Sequence, residues 1–158
     1  MVINNEREIT HPVLLCDDQG QLNKESIGWA KKPFVTSNLS GQFMRKKKWN
    51  YWCVFGQDAM FSATISNLDY AVVCFVYYLE YRTKTFYEKT FMIPFGLKCA
   101  MPSDVEGSVE VIHKDMGIFF IWNKNHVSLK VDCTDFGGES LRAEINIHYP
   151  EKLDTLNE

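Results

Sequence analysis

From Trp49 onward the chain repeats one pattern: runs rich in Val, Ile, Phe, Tyr and Thr alternate with polar or glycine-containing turns, about every ten residues. Such runs are typical of β-strands. Eight are predicted, at 49–56, 59–66, 70–81, 84–93, 107–114, 117–123, 126–133 and 141–149. The short connections favour antiparallel neighbours in a meander, because a parallel pair needs a crossover of about a dozen residues or more. The pattern therefore predicts an all-β protein.

The longest gap between these runs covers residues 94–106 and contains Gly96 and Pro102, and it divides the predicted strands into two groups of four. Eight antiparallel strands with a partly apolar interior suit a lipocalin-like barrel of the calycin class or a strongly curved sandwich. A barrel of this size either fills with side chains or holds one small ligand.

Before these strands, the first 48 residues are predicted to form an N-terminal arm with one short helix. Asn23 stands where a helix N-cap would, ahead of residues 24–30, and Pro33 ends any helix there. The full length of 158 residues suits one hydrophobic core. The chain is thus predicted to be a single β-domain, 1–158, with three parts: the arm 1–48, the barrel or sandwich 49–149 and a tail 150–158.

Two kinds of strand are distinguishable by their faces. Run 141–149 alternates apolar with polar residues, which indicates one buried and one wet face. Run 70–81 is apolar or aromatic on both faces over most of its length, and so is 118–122. A strand of this second kind needs cover on both sides, and the chain has almost no helix to provide it. We therefore expect a second lobe, another copy of the chain or a ligand to cover it.

Charge and hydropathy exclude several classes of protein. The net charge is −3, so the basic run at 45–48 lacks the domain-wide positive charge expected of a nucleic-acid-binding protein. Lysines before an apolar stretch are typical of a solvated strand edge. No run approaches the ~18 apolar residues of a membrane span, and the first residues are polar. We expect a cytoplasmic protein that neither spans a membrane nor binds nucleic acid.

The sequence contains no recognisable metal or cofactor motif. The five cysteines include no CxxC pair, and the four histidines are scattered. No glycine-rich phosphate loop is present, and 135–137, which copies a kinase metal-binding tripeptide, lacks the other kinase motifs. We therefore predict neither metal nor cofactor, and free thiols packed as small apolar groups.

Polar and aromatic clusters provide the candidate ligand-binding residues. Arg142, Glu144, Asn146 and His148 share one face of the last predicted strand. If these four side chains point outward, they make the surface soluble, and the alternation of apolar and polar residues in run 141–149 favours this orientation. If they point inward, they would line a polar pocket. Clustered aromatic residues pack in a core or cap a pocket mouth. The candidate ligand-binding residues are Trp49, Tyr51, Trp52, Tyr70, Arg142 and Glu144.

Asp69, Asp132 and His148 are the candidate proton donors for an enzymatic reaction. Asp69 precedes the apolar run 70–81, and Asp132 lies near a strand end. Carboxylates at such junctions more often accept hydrogen bonds from turn N–H groups than take part in acid–base catalysis.

Several blocks in order carry a resemblance to a known family. They are Glu8-Ile9-Thr10-His11-Pro12-Val13-Leu14-Leu15-Cys16-Asp17, Gly20-Gln21-Leu22-Asn23, Ile27-Gly28-Trp29-Ala30, Arg45-Lys46-Lys47-Lys48-Trp49-Asn50-Tyr51-Trp52, Thr64-Ile65-Ser66-Asn67-Leu68-Asp69-Tyr70 and Asp132-Cys133-Thr134-Asp135-Phe136-Gly137-Gly138. From about residue 8 to 150, the chain resembles the N-terminal half of the family called domain of unknown function 2804. That family is distantly similar to two-lobed lipocalin-like carotenoid hydratases of the hydroxyneurosporene synthase type.

The resemblance implies a first lobe that a second β-lobe covers, and it provides no catalytic assignment. We expect a homodimer, or a separately encoded second lobe, to supply the cover here. The favoured function is a non-enzymatic lipocalin-like lobe that binds a small apolar ligand or serves as an assembly surface. The alternatives are a hydratase-like enzyme acting on an isoprenoid or lipid, and a non-catalytic remnant of a two-lobed protein.

Overall fold

The computed structural model describes residues 6–39, 44–95, 99–152 and 154–157. Gly96 of the long gap, and residues 1–5 and 40–43 of the predicted arm, lie outside the described residues. The chain groups into two compact units: the smaller comprises Met1–Gln42, Pro102–Gly107 and Tyr149–Glu158, and the larger Phe43–Met101 and Ser108–His148. The single-domain organisation expected from the sequence stays a prediction.

The first sheet of the larger unit is an antiparallel meander in the order β3-β4-β5-β6. Its strands are β3 (Lys48–Phe55), β4 (Ala59–Asn67), β5 (Ala71–Glu80) and β6 (Phe86–Pro94). These segments are rich in β-branched and aromatic residues, which pack well on a pleated surface. The predicted antiparallel order of this group is confirmed.

The second sheet contains the other four long strands in the order β10-β9-β8-β7. Its strands are β7 (Val109–His113), β8 (Met116–Asn123), β9 (His126–Phe136) and β10 (Glu139–His148). Two-residue loops connect each successive pair. The last loop is Gly137-Gly138, with φ of 72° and 93°, a conformation that glycine adopts without steric cost. All eight predicted runs are strands, and the antiparallel all-β class is confirmed.

The two sheets face each other and enclose the main core. Trp52 packs against Trp122 with ring centroids 6.4 Å apart, and Phe91 stacks on His113 at 5.2 Å. The largest fully buried side chain is Phe120 of β8. Alternate residues of β4, β5, β8 and β9 contribute the remaining core: Ala63, Ile65, Val72, Cys74, Val76, Ile118, Val127, Leu129 and Val131, each 0% exposed.

The predicted lipocalin-like barrel is wrong for the described residues. Among the eight long strands, ladder hydrogen bonds join neighbours only within each group of four, so β3, β6, β7 and β10 remain sheet edges. A barrel needs hydrogen bonds between its first and last strands, and between β6 and β7. β6 ends at Pro94, which has no N–H with which to continue a ladder. The eight long strands therefore form two facing sheets. The long gap predicted at residues 94–106 is the connection between the first sheet and the second.

The smaller unit has a short parallel pair, β1 (Val13–Leu14) with β2 (Val35–Thr36). Ile9, Val13 and Ala30 form a separate small core, against which Phe34 and Val35 pack. An antiparallel bridge joins Ala30 to Asn157, with N–O distances of 2.8 and 3.0 Å. Long-range backbone pairing therefore holds this unit together.

The predicted helix over residues 24–30 is wrong, because only one 3-10 turn forms, at Lys24–Ser26. Asn23 is its N-cap, as predicted, and the Asn23 side chain accepts a hydrogen bond from Glu25 N at 3.0 Å. Gly28 then adopts φ of +152°, and a Cβ there would lie 2.2 Å from Arg7 O. The chain leaves the helical conformation because Trp29 instead forms a parallel bridge with Glu8.

Candidate functional site

The outer surface of the first sheet is the most unusual feature of the molecule. Inter-sheet contacts of Trp52, Lys89 and Phe91 identify the inner side, so the alternate residues point away from the second sheet. We call this outer side the aromatic face. By strand register it consists of Trp49, Tyr51, Cys53 and Phe55 of β3, Met60, Ser62, Thr64 and Ser66 of β4, Val73, Phe75, Tyr77 and Leu79 of β5, and Phe86, Glu88, Thr90 and Met92 of β6.

Large apolar groups on the aromatic face are exposed to solvent. The exposed fraction is 65% for Trp49, 72% for Phe55 and 59% for Met92. Phe75 and Tyr77 stack on each other with centroids 5.0 Å apart, and both are half-buried. The inward residues of β5 are also apolar, which is the pattern that the sequence displays over 70–81. A contiguous apolar surface of this kind marks an interaction site in many soluble proteins.

Two hydroxyl groups lie beneath the rings of the aromatic face. Ser62 is 1% and Thr64 is 2% exposed, and the Thr64 hydroxyl oxygen has no hydrogen-bond partner among the described residues. Both belong to β4, between the ring-bearing strands β3 and β5. Nearby, hydrogen bonding to Cys53 is the main cause that raises the pKa of Tyr51 above 10.0. The hydroxyl of Thr64 is therefore desolvated without compensation.

The outer surface of the second sheet is polar, in contrast to the aromatic face. Arg142, Glu144, Asn146 and His148 all point outward and are exposed. Cross-strand polar contacts join this surface: Lys130 Nζ to Glu144 Oε1 at 2.9 Å, Arg142 Nε to Asp132 Oδ1 at 3.6 Å and Ser128 Oγ to Asn146 Oδ1 at 2.6 Å. These four side chains of β10 therefore do not point between the sheets.

The structure separates the six candidate ligand-binding residues. Trp49 and Tyr51 share the aromatic face, whereas Trp52 points inward, where its Nε1 is buried without a hydrogen-bond partner in the described part of the chain. Tyr70 lies in the turn before β5 and is 44% exposed. Arg142 and Glu144 lie on the other sheet. Their assignment to a ligand site stays a prediction.

The three candidate proton donors do not form one catalytic centre. Asp69 lies in the β4–β5 turn, where its carboxylate accepts a hydrogen bond from Met44 N and pairs with Lys46 at 3.8 Å. Asp132 and His148 share the outer face of the second sheet, but Arg142, the register partner of Asp132, lies six positions before His148 on β10, about 20 Å along a strand. The His148 ring instead lies 5.3 Å from the ring of His126.

An ion-pair cluster between the sheets was not anticipated from the sequence. Lys89 Nζ of β6 lies 3.1 Å from Asp115 Oδ2 and 3.3 Å from Asp135 Oδ2 of the second sheet. Hydrogen bonding to Asp115 is the main cause that raises the pKa of Lys89, and the reciprocal bond lowers the pKa of Asp115. Lys89 is two residues from both Tyr87 and Phe91, so all three share the inward side of β6. A lysine among these aromatic residues is the sequence signal that could have predicted the ion-pair cluster. The cluster connects the two sheets.

Within the described ranges, no group of three or more His, Cys, Asp and Glu side chains has an arrangement that could hold a metal ion. All five cysteines are free thiols. Among the same residues, no helix is long and apolar enough to cross a bilayer.

The fold and its surfaces define the larger unit of this all-β chain as two facing antiparallel sheets with one aromatic and one polar outer face. Residues 6–158 match the model of the family described as Domain of unknown function (DUF2804), and the chain belongs to this family. No curated protein and no solved structure matches the chain. The similarity to carotenoid hydratases, expected from the resemblance, therefore stays a prediction.

Proposed function

We propose that this protein is a non-enzymatic assembly module whose aromatic face docks against the same face of a second copy of the chain. The observation that carries the proposal is the exposure of Trp49, Phe55 and Met92 on one contiguous sheet surface. Only Glu88 is charged among the sixteen outward positions of that surface. Leaving so much apolar surface in water is unfavourable, by about 25 cal/mol per Å².

The size of the aromatic face supports a second copy as the occupant. Four strands about 4.8 Å apart and eight residues about 3.4 Å apart give a footprint of roughly 500 Å². Two such footprints bury roughly 1,000 Å², which is where specific interfaces begin. A two-fold axis brings the same patch of both partners together, and two sheets pack face to face about 10 Å apart. Self-association therefore needs no additional partner surface.

The charge and the open shape of the aromatic face favour a second copy of the chain over a charged ligand, a nucleic acid or a small apolar ligand. A charged ligand or a nucleic acid gains little from a face whose single charge is Glu88. A small apolar ligand on an open sheet would keep one side in water, whereas binding pockets enclose most of a ligand's surface. A hydratase-like reaction would require proton donors near the substrate, and the candidates Asp69, Asp132 and His148 are not assembled at this face.

The experiment is native mass spectrometry and analytical ultracentrifugation of the whole chain at micromolar concentration. Trp49→Glu and Met92→Glu each place a charge on the aromatic face. Ile112→Glu is the matched control, because Ile112 on the polar side is 66% exposed and Trp49 is 65% exposed. We expect a wild-type dimer, about tenfold or greater weakening by the two face variants, and no effect of the control.

Three outcomes would contradict the proposal. A bare wild-type monomer at the highest soluble concentration would show that the face needs no second copy. A monomer that retains an apolar small molecule would favour the ligand-binding alternative. A dimer that Ile112→Glu weakens as much as Trp49→Glu would place the interface elsewhere.

A further inference from the structure

The outer edge of β10 is an unpaired sheet edge in the part of the chain that the structure describes. β10 pairs with β9 along one side, and no backbone hydrogen bond from the described residues reaches its other side. Alternate residues of Glu139–His148 therefore turn their N–H and C=O groups away from the sheet. A further strand can add to such an edge by backbone hydrogen bonds.

β10 suits strand addition better than the other three edges do. It has ten residues and no proline, whereas β6 ends at Pro94 and β7 has only five residues. β3 begins in the basic run 45–48, and lysines at an edge discourage strand addition. From Leu141 to His148 the register of β10 against β9 is unbroken, so this part of the edge is regular.

The charges of β10 make a second copy of the same strand its natural partner. In an antiparallel pair with two-fold symmetry centred on Ala143, Arg142 lies opposite Glu144 of the second copy, and Glu144 lies opposite Arg142. Residues directly opposite one another share a face of the sheet, where opposite charges attract and like charges repel. A register centred on Glu144 would instead oppose two glutamates.

The neighbouring strand extends this complementarity into a row of charges. Within one copy, Arg142 Nε lies 3.6 Å from Asp132 Oδ1, and Lys130 Nζ lies 2.9 Å from Glu144 Oε1. Strand register places each of these pairs directly opposite on β9 and β10. Across the contact, the row continues from Asp132 and Arg142 to Glu144 and Lys130 of the second copy. The charges therefore alternate in sign over four strands, and the two-fold axis repeats the row.

The inward side of β10 provides apolar surface for the same contact. Lys89 of β6, the edge strand of the first sheet, reaches Asp135 of β9. The inward Leu129 of β9 is 0% exposed, whereas the inward Leu141 and Ile145 of β10 are half-buried. The register centred on Ala143 places Leu141 opposite Ile145 of the second copy, so pairing would cover their exposed part.

We propose that β10 pairs antiparallel with β10 of a second copy, centred on Ala143, so that two four-stranded sheets become one sheet of eight strands. This contact goes beyond the proposed function, because it lies on the other sheet from the aromatic face. One added strand pair buries less than a standard interface, so we expect weak association with a dissociation constant of about 10⁻⁴ M. At micromolar concentration the chain therefore associates through the aromatic face alone.

The test uses two charge-reversed chains, each also carrying Trp49→Glu so that the aromatic face does not contribute. Arg142→Glu alone would oppose glutamates across the two-fold axis, and Glu144→Arg alone would oppose arginines. An equal mixture of the two restores opposite charges at both positions. We expect each chain to associate about tenfold more weakly than the Trp49→Glu parent, and the mixture to regain the parental affinity. Sedimentation equilibrium at concentrations up to about 1 mM measures these affinities.

The matched control makes the same charge changes one strand away from the edge. Lys130→Glu and Asp132→Arg, each in the Trp49→Glu chain, reverse charges on the same outer face of β9. We expect each to associate within about threefold of the parent, and mixing them to add nothing. A ¹H–¹⁵N NMR spectrum of the labelled Arg142→Glu chain, with the unlabelled Glu144→Arg chain added, should show shifts along residues 141–147.

Three outcomes would overturn the proposal. They are a Trp49→Glu parent that remains monomeric at about 1 mM, a mixture that associates no more tightly than its two components, and NMR shifts that lie away from β10. Failure of the proposed function has a different signature, since Trp49→Glu would then leave the association of the wild-type chain unchanged.

Discussion

Lys89 of β6 and Asp115 of the β7–β8 turn meet between the two sheets, where their Nζ and Oδ2 atoms lie 3.1 Å apart. Asp135 approaches the same ammonium at 3.3 Å, so one lysine of β6 bridges two carboxylates of the second sheet. Interdigitating apolar side chains are the usual contact between two sheets. Here a charged contact joins β6 to the β7–β8 turn as well.

The Lys89 cluster should contribute stability only in a defined pH window. The folded-state pKa of Asp115 is lowered below 3.8, so its contribution is present above that value and is lost as the pH falls through the folded pKa. The folded-state pKa of Lys89 is raised above 10.5, so its contribution is present below 10.5 and is lost as the pH rises through the folded pKa.

We therefore expect Lys89→Met to lower the free energy of unfolding at neutral pH, and the deficit relative to wild type to shrink in strong acid and strong base. Urea unfolding at several pH values measures this deficit. Lys130→Met is the control, because its partner Glu144 belongs to the same sheet and the exposed pair adds little. A deficit for Lys89→Met that does not change with pH would contradict the expectation.

Thr64→Val should stabilise the protein. The Thr64 hydroxyl is buried without a hydrogen-bond partner in the described chain, and such a group costs about 1–3 kcal/mol. Valine keeps the shape, so we expect the free energy of unfolding to increase by about 1 kcal/mol. Thr90→Val is the control in the same register row, because Thr90 Oγ1 donates to Glu88 Oε1 at 2.9 Å. A loss of stability in Thr64→Val would reveal a partner for the hydroxyl.

Gly137→Ala should destabilise the protein more than Gly138→Ala does. Both glycines have positive φ, at 72° and 93°, so alanine at either position is strained by about 1–3 kcal/mol. A Cβ on Gly137 would also lie 2.3 Å from Cδ1 of Tyr87, whereas a Cβ on Gly138 meets nothing within 4 Å. Thermal unfolding of the two variants measures the difference, and equal losses would mean that the Tyr87 ring moves aside freely.

Native thiols should react unequally with Ellman's reagent at pH 8. Burial is the main cause that raises the pKa of Cys74 to about 12, which leaves about one thiolate in ten thousand at that pH. Cys53 is the one half-buried cysteine and the other four are buried. Cys53 lies on the aromatic face, so we expect one fast thiol, removed by Cys53→Ser, in protein dilute enough to be monomeric, and five thiols after unfolding in guanidinium. Fast modification of two or more thiols in the native protein would contradict this burial.

The strands were predictable because their signal is local. Run 70–81 corresponds to β5, Ala71–Glu80, and the short connection predicted between runs 107–114 and 117–123 is the two-residue loop Lys114-Asp115. The helix over 24–30 failed for a non-local reason, since Gly28 lies against the backbone of Arg7. The capping residue Asn23 was correct because a cap depends only on its neighbours.

The candidate site was less predictable than the strands. Trp49 and Tyr51 were singled out as neighbours in sequence, and both lie on the aromatic face, but the adjacent Trp52 points into the core. Alternation with a period of two explains why neighbours separate. The pairing of Arg142 with Asp132 depends on the register of β10 against β9, which neither segment specifies by itself.

The sequence by itself determined the strand content, the two groups of four strands, the hairpin turns and the presence of apolar residues on both faces of β5. These follow from period-two alternation and turn chemistry, which act over a few residues. Only the tertiary structure decided that the sheets face each other as open sheets instead of closing into a barrel, that Lys89 reaches Asp115, and that the second apolar face remains in solvent. Those outcomes depend on contacts between segments far apart in the chain, and the apolar pattern of a strand does not specify which surface will cover each face.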